Sequence, residues 1–299
     1  MPPFNRNLFN LVAVLAVLGF LLACGCPSIR DGGERSRGKE TVDKPEQGEE
    51  KPENPEPADT KAAREKDEGD FVVEHQTVTN VRYRDIDRSF RENKVLEKAA
   101  DKLNRSLILP HDITLRTKDC GEINAFYNPN ERSITFCYEL MEYFFHLFKS
   151  DGDNDARARE RMNKAMTFVF LHEVGHALID GYELPITGNE EDAADRCSAF
   201  ICIEELGDDG VEAIVAAAEG FAIESRMSRP DKRNMADEHL LQEQRFFNSL
   251  CMIYGSDPGK YADFKKNNLL PASRAVRCPS EYERMAKSWE NLLKPWRKD

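Results

Sequence analysis

The stretch from Ala165 to Asp180, AMTFVFLHEVGHALID, is apolar enough around its circumference to be a buried helix. Within it His172 and His176 stand four residues apart and share one face, so both imidazoles can reach a single metal ion. Glu173 falls on the adjoining face, where it can contact a water beside that ion without ligating the ion itself. Gly175 costs the helix up to about 1 kcal/mol of propensity, and one explanation is close approach of another backbone or of a substrate. Two histidines on an apolar helix are also what a satisfied core pair looks like. The choice therefore turns on a third ligand, which a catalytic zinc requires together with an open position for water.

That ligand has a candidate after the loop GYELPITG, in NEEDAADRC from Asn189 to Cys197. Asn189 is a good helix N-cap, and Glu191 and Asp195 then lie on one face of the new helix. Glu191 can complete the ligand set, and Asp195 can accept the remaining ring N–H of His172. Glu190 and Asp192 compete for the ligand role, but only Glu191 has an acid at the fourth following position. A longer histidine motif fails, because it would need Gly at 179 and His at 182, where the chain has Ile179 and Tyr182.

A His-Glu-x-x-His helix followed by a Glu-x-x-x-Asp helix resembles the gluzincin class of zinc metallopeptidases. The chain also resembles a family of bacterial metallopeptidases carried as a domain of unknown function. The matching stretches are CGEINAFYNPNERSITFCYEL (120–140), the two motif segments, DEHLLQEQRFFNSLCMIYGSDP (237–258) and RAVRCPSEYERMAKSW (274–289). The resemblance implies a single metallopeptidase-like domain over most of 71–295.

The chemistry expected from these residues is hydrolysis of peptide bonds. One zinc per chain, held by His172, His176 and Glu191, would activate water, with Glu173 as general base and proton carrier. The donor that stabilises the oxyanion is not fixed by spacing, and His239, Tyr127 and Tyr138 are the candidates. NAFY (124–127) is the expected edge strand for pairing with a substrate backbone. Two rival readings stand beside this one: an envelope lipoprotein with a structural metal acting as a binding module, and a zinc amidase acting on another amide. Glu173 speaks against the first, since a structural site needs no base. The expected partner is a peptide or protein substrate, and nothing in the sequence sets an oligomeric state.

The first 26 residues read as an export signal, with Arg6 ahead of the apolar run Leu8–Leu22. The run is shorter than the roughly 20 apolar residues of a spanning helix. It ends in LLAC, which resembles a bacterial lipobox with Cys24 as the lipidated residue; the alternative is an ordinary signal cut near Cys26. Both place the mature protein outside the cytoplasm, and the first attaches it to the membrane of a bacterial envelope through its N-terminal lipid. Residues 27–70 carry 14 acidic and 9 basic side chains, with Ile29 and Val42 as their only large apolar residues. Such a segment cannot offset its ordering entropy by burial and is expected to be a disordered tether. The net charge of −12 leaves no basic surplus for phosphates and argues against nucleic acid as a partner.

Residues 71–299 form the expected folded domain. FVVEHQTV and NVRYRDI read as strand material, Arg88–Leu103 as helix, 107–117 as a strand entry limited by Pro110, and 123–138 as an antiparallel pair. Helices follow over 139–149, 157–180, 189–206, 208–225, 234–254 and 279–293. Strands first and helices later give an α+β fold, a zincin-like domain with a small antiparallel or mixed sheet and a mainly helical remainder. The loop DGDND (151–155) invites a calcium reading, but an EF-hand would need glycine where Ala156 stands and glutamate where Met162 stands. Six cysteines follow the signal. Cys120 with Cys137 and Cys251 with Cys278 are the expected disulfides, and Cys197 and Cys202 are expected as buried thiols.

Overall fold

The computed structural model describes residues 66–227, 230 and 238–298; the expected signal, Cys24 and the tether up to residue 65 lie outside them. Four strands make one mixed sheet in the order β1-β2-β4-β3. β1 (Phe71–Val73), β2 (Ile113–Lys118) and β4 (Ser133–Cys137) run parallel, and β3 (Ala125–Asn128) pairs antiparallel with β4 at the sheet's edge. β4 is buried along its whole length, as a strand covered on both faces must be, whereas β2 alternates with Ile113, Leu115 and Thr117 inward. The hairpin expected over 123–138 is present, and the Cys120–Cys137 disulfide closes its base.

NVRYRDI is not a strand. Val81–Tyr83 is a 3-10 turn that leads into α1 (Arg84–Glu92). Two features decide this. The Asn80 side chain caps the turn by accepting from the Arg82 N–H, and Asp85 and Asp87 pair one turn onward with Arg88 and Arg91. The inward residues Tyr83, Ile86 and Phe90 then follow helical spacing, while Val81 stays 70% exposed. FVVEHQTV likewise keeps only three strand residues. The helix expected from Arg88 to Leu103 is broken at Lys94, whose φ of 51° starts a second helix, α2 (Val95–Ser106).

The helical part comprises α3 (Tyr138–Ser150), α4 (Asp155–Gly181), α5 (Glu190–Glu205), α6 (Gly207–Met227), α7 (Gln242–Ser256), two short helices α8 (Asp263–Lys266) and α9 (Ala272–Ala275), and α10 (Cys278–Leu293). α4 is the central element: it packs on α3, α5, α6 and β3, and its middle is buried on nearly every side. The expected start of α7 at 234 falls partly outside the described residues, and Glu238–Leu241 are not helical. There the backbone is turned aside by the Asn189 side chain, whose amide donates to the Glu238 carbonyl at 2.6 Å. The Cys251–Cys278 disulfide joins α7 to α10. Trp289 is buried in the core, and Trp296 stacks on Tyr182 with ring centroids 4.0 Å apart.

The acidic loop before α4 is paired with cationic side chains. Arg161 reaches Asp153 at 2.6 Å and Glu219 at 2.9 Å, and Lys149 reaches Asp155 at 2.8 Å. Asp67–Asp70, which composition groups with the tether, are bonded to the body: Asp67 accepts from the Leu109 N–H at 3.1 Å and pairs with Lys298 at 2.5 Å. Gly69 lies so close to His111 that a Cβ would stand 2.0 Å from its carbonyl carbon.

Candidate metal centre

Two helices build the site. α4 starts at Asn154, whose side chain accepts from the Arg157 N–H at 3.0 Å, and presents His172, Glu173 and His176 in its last turns. α5 starts at Asn189, whose side chain accepts from the Asp192 N–H at 3.1 Å, so its first turn carries Glu190 and Glu191. The helices approach most closely at Gly175, where an added Cβ would lie 3.2 Å from both the Ala194 Cα and the Cys197 Cβ. The Ser198 hydroxyl ties them again by donating to the Phe168 carbonyl at 2.7 Å. Glycine at 175 thus sets the separation across which the two motif segments face each other.

Across that gap three groups converge. His172 Nε2 and His176 Nε2 are 3.2 Å apart, and Glu191 lies 3.1 Å from the first through Oε2 and 3.4 Å from the second through Oε1. The Nδ1 atoms are held from behind, His172 by Asp195 at 2.9 Å and His176 by Glu190 at 2.8 Å. With the ring protons on Nδ1 and donated to these carboxylates, both Nε2 lone pairs face one another and a carboxylate. A cation between them satisfies that arrangement. Tetrahedral zinc at about 2.0–2.1 Å from each ligand would separate the ligands by about 3.3–3.4 Å, close to the observed spacings. His172, His176 and Glu191 therefore fit a metal ion and could hold one.

A family model described as "Putative metallopeptidase" matches residues 75–293. The chain belongs to that family. No curated protein and no solved structure matches it. Family membership supports a hydrolase of the protease class and a metal ion as its cofactor, in line with the three converging groups.

Glu173 lines the same cleft as these three groups. It is 6% exposed, and burial pushes its carboxyl up from the usual range, against the opposing pull of His172 and His176. The Tyr127 backbone of the edge strand β3 is a lesser influence on it, in the lowering direction. Burial pulls the His172 imidazole down, but hydrogen bonds to Asp195 and Glu191 outweigh this and raise it to about 9. Burial also pushes Glu191 and Asp195 up, yet the imidazoles around Glu191, and Arg245 with His172 around Asp195, hold both well below the carboxylate range. Anionic surroundings that favour a proton on the imidazoles favour a metal cation there too.

His172 and Glu173 form the divide between two clefts. A wide one of about 970 Å³ runs along Phe126, Tyr127, His176, Asp180 and Glu190, and a narrower one of about 370 Å³ runs past Leu140, Tyr143, Val169 and Phe221. Asn124 and Ala125 of the β3 edge border both.

Of the other sequence candidates, His239 lies at the site: its Nε2 is 2.9 Å from Glu191 Oε2, and its ring stacks over His172 at 6.2 Å. Tyr127 lines the wide cleft, but its hydroxyl donates to Asp180 at 2.7 Å. Tyr138 is away from it, fully buried between Thr117 and Asp87. Glu190, weighed as a ligand, is instead the Nδ1 partner of His176, and Asp192 pairs with Arg196 at 2.7 Å. One participant carried no sequence signal. Arg245 of α7 reaches Asp195 through two hydrogen bonds, and it comes from 50 residues further along the chain.

Proposed function

We propose that this protein is a zinc-dependent metallopeptidase of the gluzincin type with a zincin-like fold, exported and anchored to a bacterial cell envelope by lipid at Cys24. The observation that carries this reading is the convergence of His172 Nε2, His176 Nε2 and the Glu191 carboxylate, with the buried Glu173 alongside. Zinc at His172, His176 and Glu191 would supply Lewis acidity, lowering the pKa of water and polarising the scissile carbonyl.

The remaining work falls to the chain's own groups. The Cys137 N–H bonds the Asn124 carbonyl, and antiparallel alternation then turns the backbone groups of Ala125 and Tyr127 to the free edge of β3. An extended peptide would pair there as a further strand, with its side chains divided between the two clefts. Glu173, which lines the same cleft as β3, takes a proton from the attacking water and returns it to the leaving amine. Its raised pKa suits both halves of that transfer. Tyr127's hydroxyl is committed to Asp180, whereas His239 Nε2 meets Glu191, a group that zinc would engage, so His239 is the preferred donor to the developing oxyanion. A site with a buried base open to two clefts has more than a structural metal needs, which favours catalysis over the binding-module reading.

The test is to purify the protein, measure its zinc content, and assay a broad peptide library before chelation, after it, and after zinc is restored. One zinc per chain with chelator-sensitive cleavage is expected. Zinc without cleavage of any peptide would favour the structural site, cleavage confined to non-peptide amides would favour the amidase, and lack of metal would overturn the ligand assignment.

A further inference from the structure

The narrower of the two clefts at the metal centre is built by three helices. α4 supplies Val169, one turn before Glu173; α3 supplies Leu140 and Tyr143; α6 supplies Phe221 and, three residues on, Glu224. Its volume of about 370 Å³ is well above the roughly 150 Å³ that admits benzene, so a long side chain has room there. Leu140, Val169 and Phe221 offer that side chain apolar surface. Beside them stands a carboxylate: the Tyr143 hydroxyl donates to Glu224 Oε1 at 2.7 Å, which fixes the carboxylate of α6 against α3.

Burial pushes the Glu224 carboxyl up, and the Tyr143 hydrogen bond and Arg245 pull against this. A carboxylate whose charge burial disfavours gains when a cation comes beside it. Arg245 also lines the cleft, but Asp195 takes two of its hydrogen bonds and matches its charge. The other titratable groups lining it among the described residues are His172, His239, Glu173 and Glu243. Both histidines meet Glu191 in the metal centre, so beyond that centre the cleft holds two carboxylates and one arginine that is already paired. An apolar stem that ends in a positive charge matches this lining, and lysine and arginine side chains have that form. An acidic side chain would meet Glu224 as a like charge.

We propose that Glu224 is a specificity-determining residue: the narrow cleft takes a lysine or arginine side chain of the substrate, its stem along Leu140, Val169 and Phe221 and its cation at Glu224. This inference rests on the metallopeptidase reading above and adds to it the class of peptide that the site accepts.

The experiment uses the zinc-loaded protein and alanine peptides that carry one lysine, norleucine or glutamate, acetylated so that no terminal amine can take the side chain's place. Cleavage is expected at one fixed position relative to the lysine, with kcat/KM about 10–100-fold above the norleucine peptide and the glutamate peptide lower still. Glu224→Gln should bring the lysine peptide down to about the level of the norleucine peptide, and Glu224→Asp should keep part of the difference. Calorimetric titration of the same peptides into Glu173→Gln reads binding without cleavage. Lysine-selective binding there, lost when Glu224→Gln is added, would uphold the pocket even if wild type cleaved nothing, an outcome that sinks only the peptidase reading. Lysine and norleucine peptides that bind and react alike in wild type would overturn the assignment whatever the variants do. A lysine preference that survives Glu224→Gln would overturn it too.

Discussion

Arg245 grips Asp195 through two hydrogen bonds, Nη2 to Oδ1 at 2.7 Å and Nε to Oδ2 at 2.8 Å, while the same Oδ1 meets His172 Nδ1 at 2.9 Å. The guanidinium also lies 4.1 Å over the Phe221 ring, so its position is fixed from two sides. α7 thereby orients an imidazole on α4 through a carboxylate on α5. Arg245→Met would leave Asp195 buried without its cation. The expected cost is about 3–5 kcal/mol of stability and about 10–100-fold in zinc affinity. Arg245→Lys keeps the charge without the fork and should lose less of each. Denaturant unfolding and competition with a zinc chelator measure both, and an unchanged zinc affinity in Arg245→Met would remove Arg245 from the site's supporting shell.

Glu173 is assigned to proton transfer and not to metal binding, and the two roles separate cleanly in Glu173→Gln. The amide keeps the shape, but it cannot take a proton. Peptide hydrolysis should fall by about 10²–10⁴ with KM little changed and zinc still at one per chain. Loss of zinc from this variant would instead make Glu173 a ligand.

What the sequence carried was whatever is encoded within a few turns of one helix. His172, Glu173 and His176 needed only helical spacing, and Glu191 and Asp195 needed one further helix with Asn189 to start it. The β3–β4 hairpin was legible because its alternation and turn are local. NVRYRDI misled because alternating apolar and charged residues over so short a span suit a strand and a helix equally; Asn80 and the Asp87–Arg91 pair decide between them. Arg245 was illegible for a different reason: a lone arginine in a helix gives no sign of a carboxylate packed against it from a distant segment.

The Cys120–Cys137 disulfide spans a sequence separation of 17 and encloses β3, the strand proposed to pair with substrate. Replacing both cysteines by serine should cost about 3 kcal/mol, since the open loop regains its entropy in the unfolded chain. A looser β3 should also raise KM for extended peptides more than for short ones. The Cys251–Cys278 pair joins α7 to α10 away from that strand, and its removal should lower stability without the length-dependent KM effect. Thermal unfolding and a substrate-length series distinguish the two; identical KM changes would argue against pairing at β3.

Gly175 and Gly181 sit in one helix and predict opposite outcomes. At Gly181 the nearest atoms to an added Cβ are those of the His111 ring at 3.6 Å, an ordinary contact, so Gly181→Ala should be neutral or gain up to about 1 kcal/mol from helix propensity. At Gly175 the same methyl would meet the Ala194 Cα and the Cys197 Cβ at 3.2 Å, and neither the α5 backbone nor a Cβ fixed to it can rotate away. Overpacking of about 1–3 kcal/mol should outweigh the propensity gain and push α5 outward. Glu191 and Asp195 move with α5, so Gly175→Ala should weaken zinc binding as well as lower the melting temperature, whereas Gly181→Ala should leave zinc binding alone. If Gly175→Ala melted higher and bound zinc normally, the close crossing of the two helices would not be what sets the metal site.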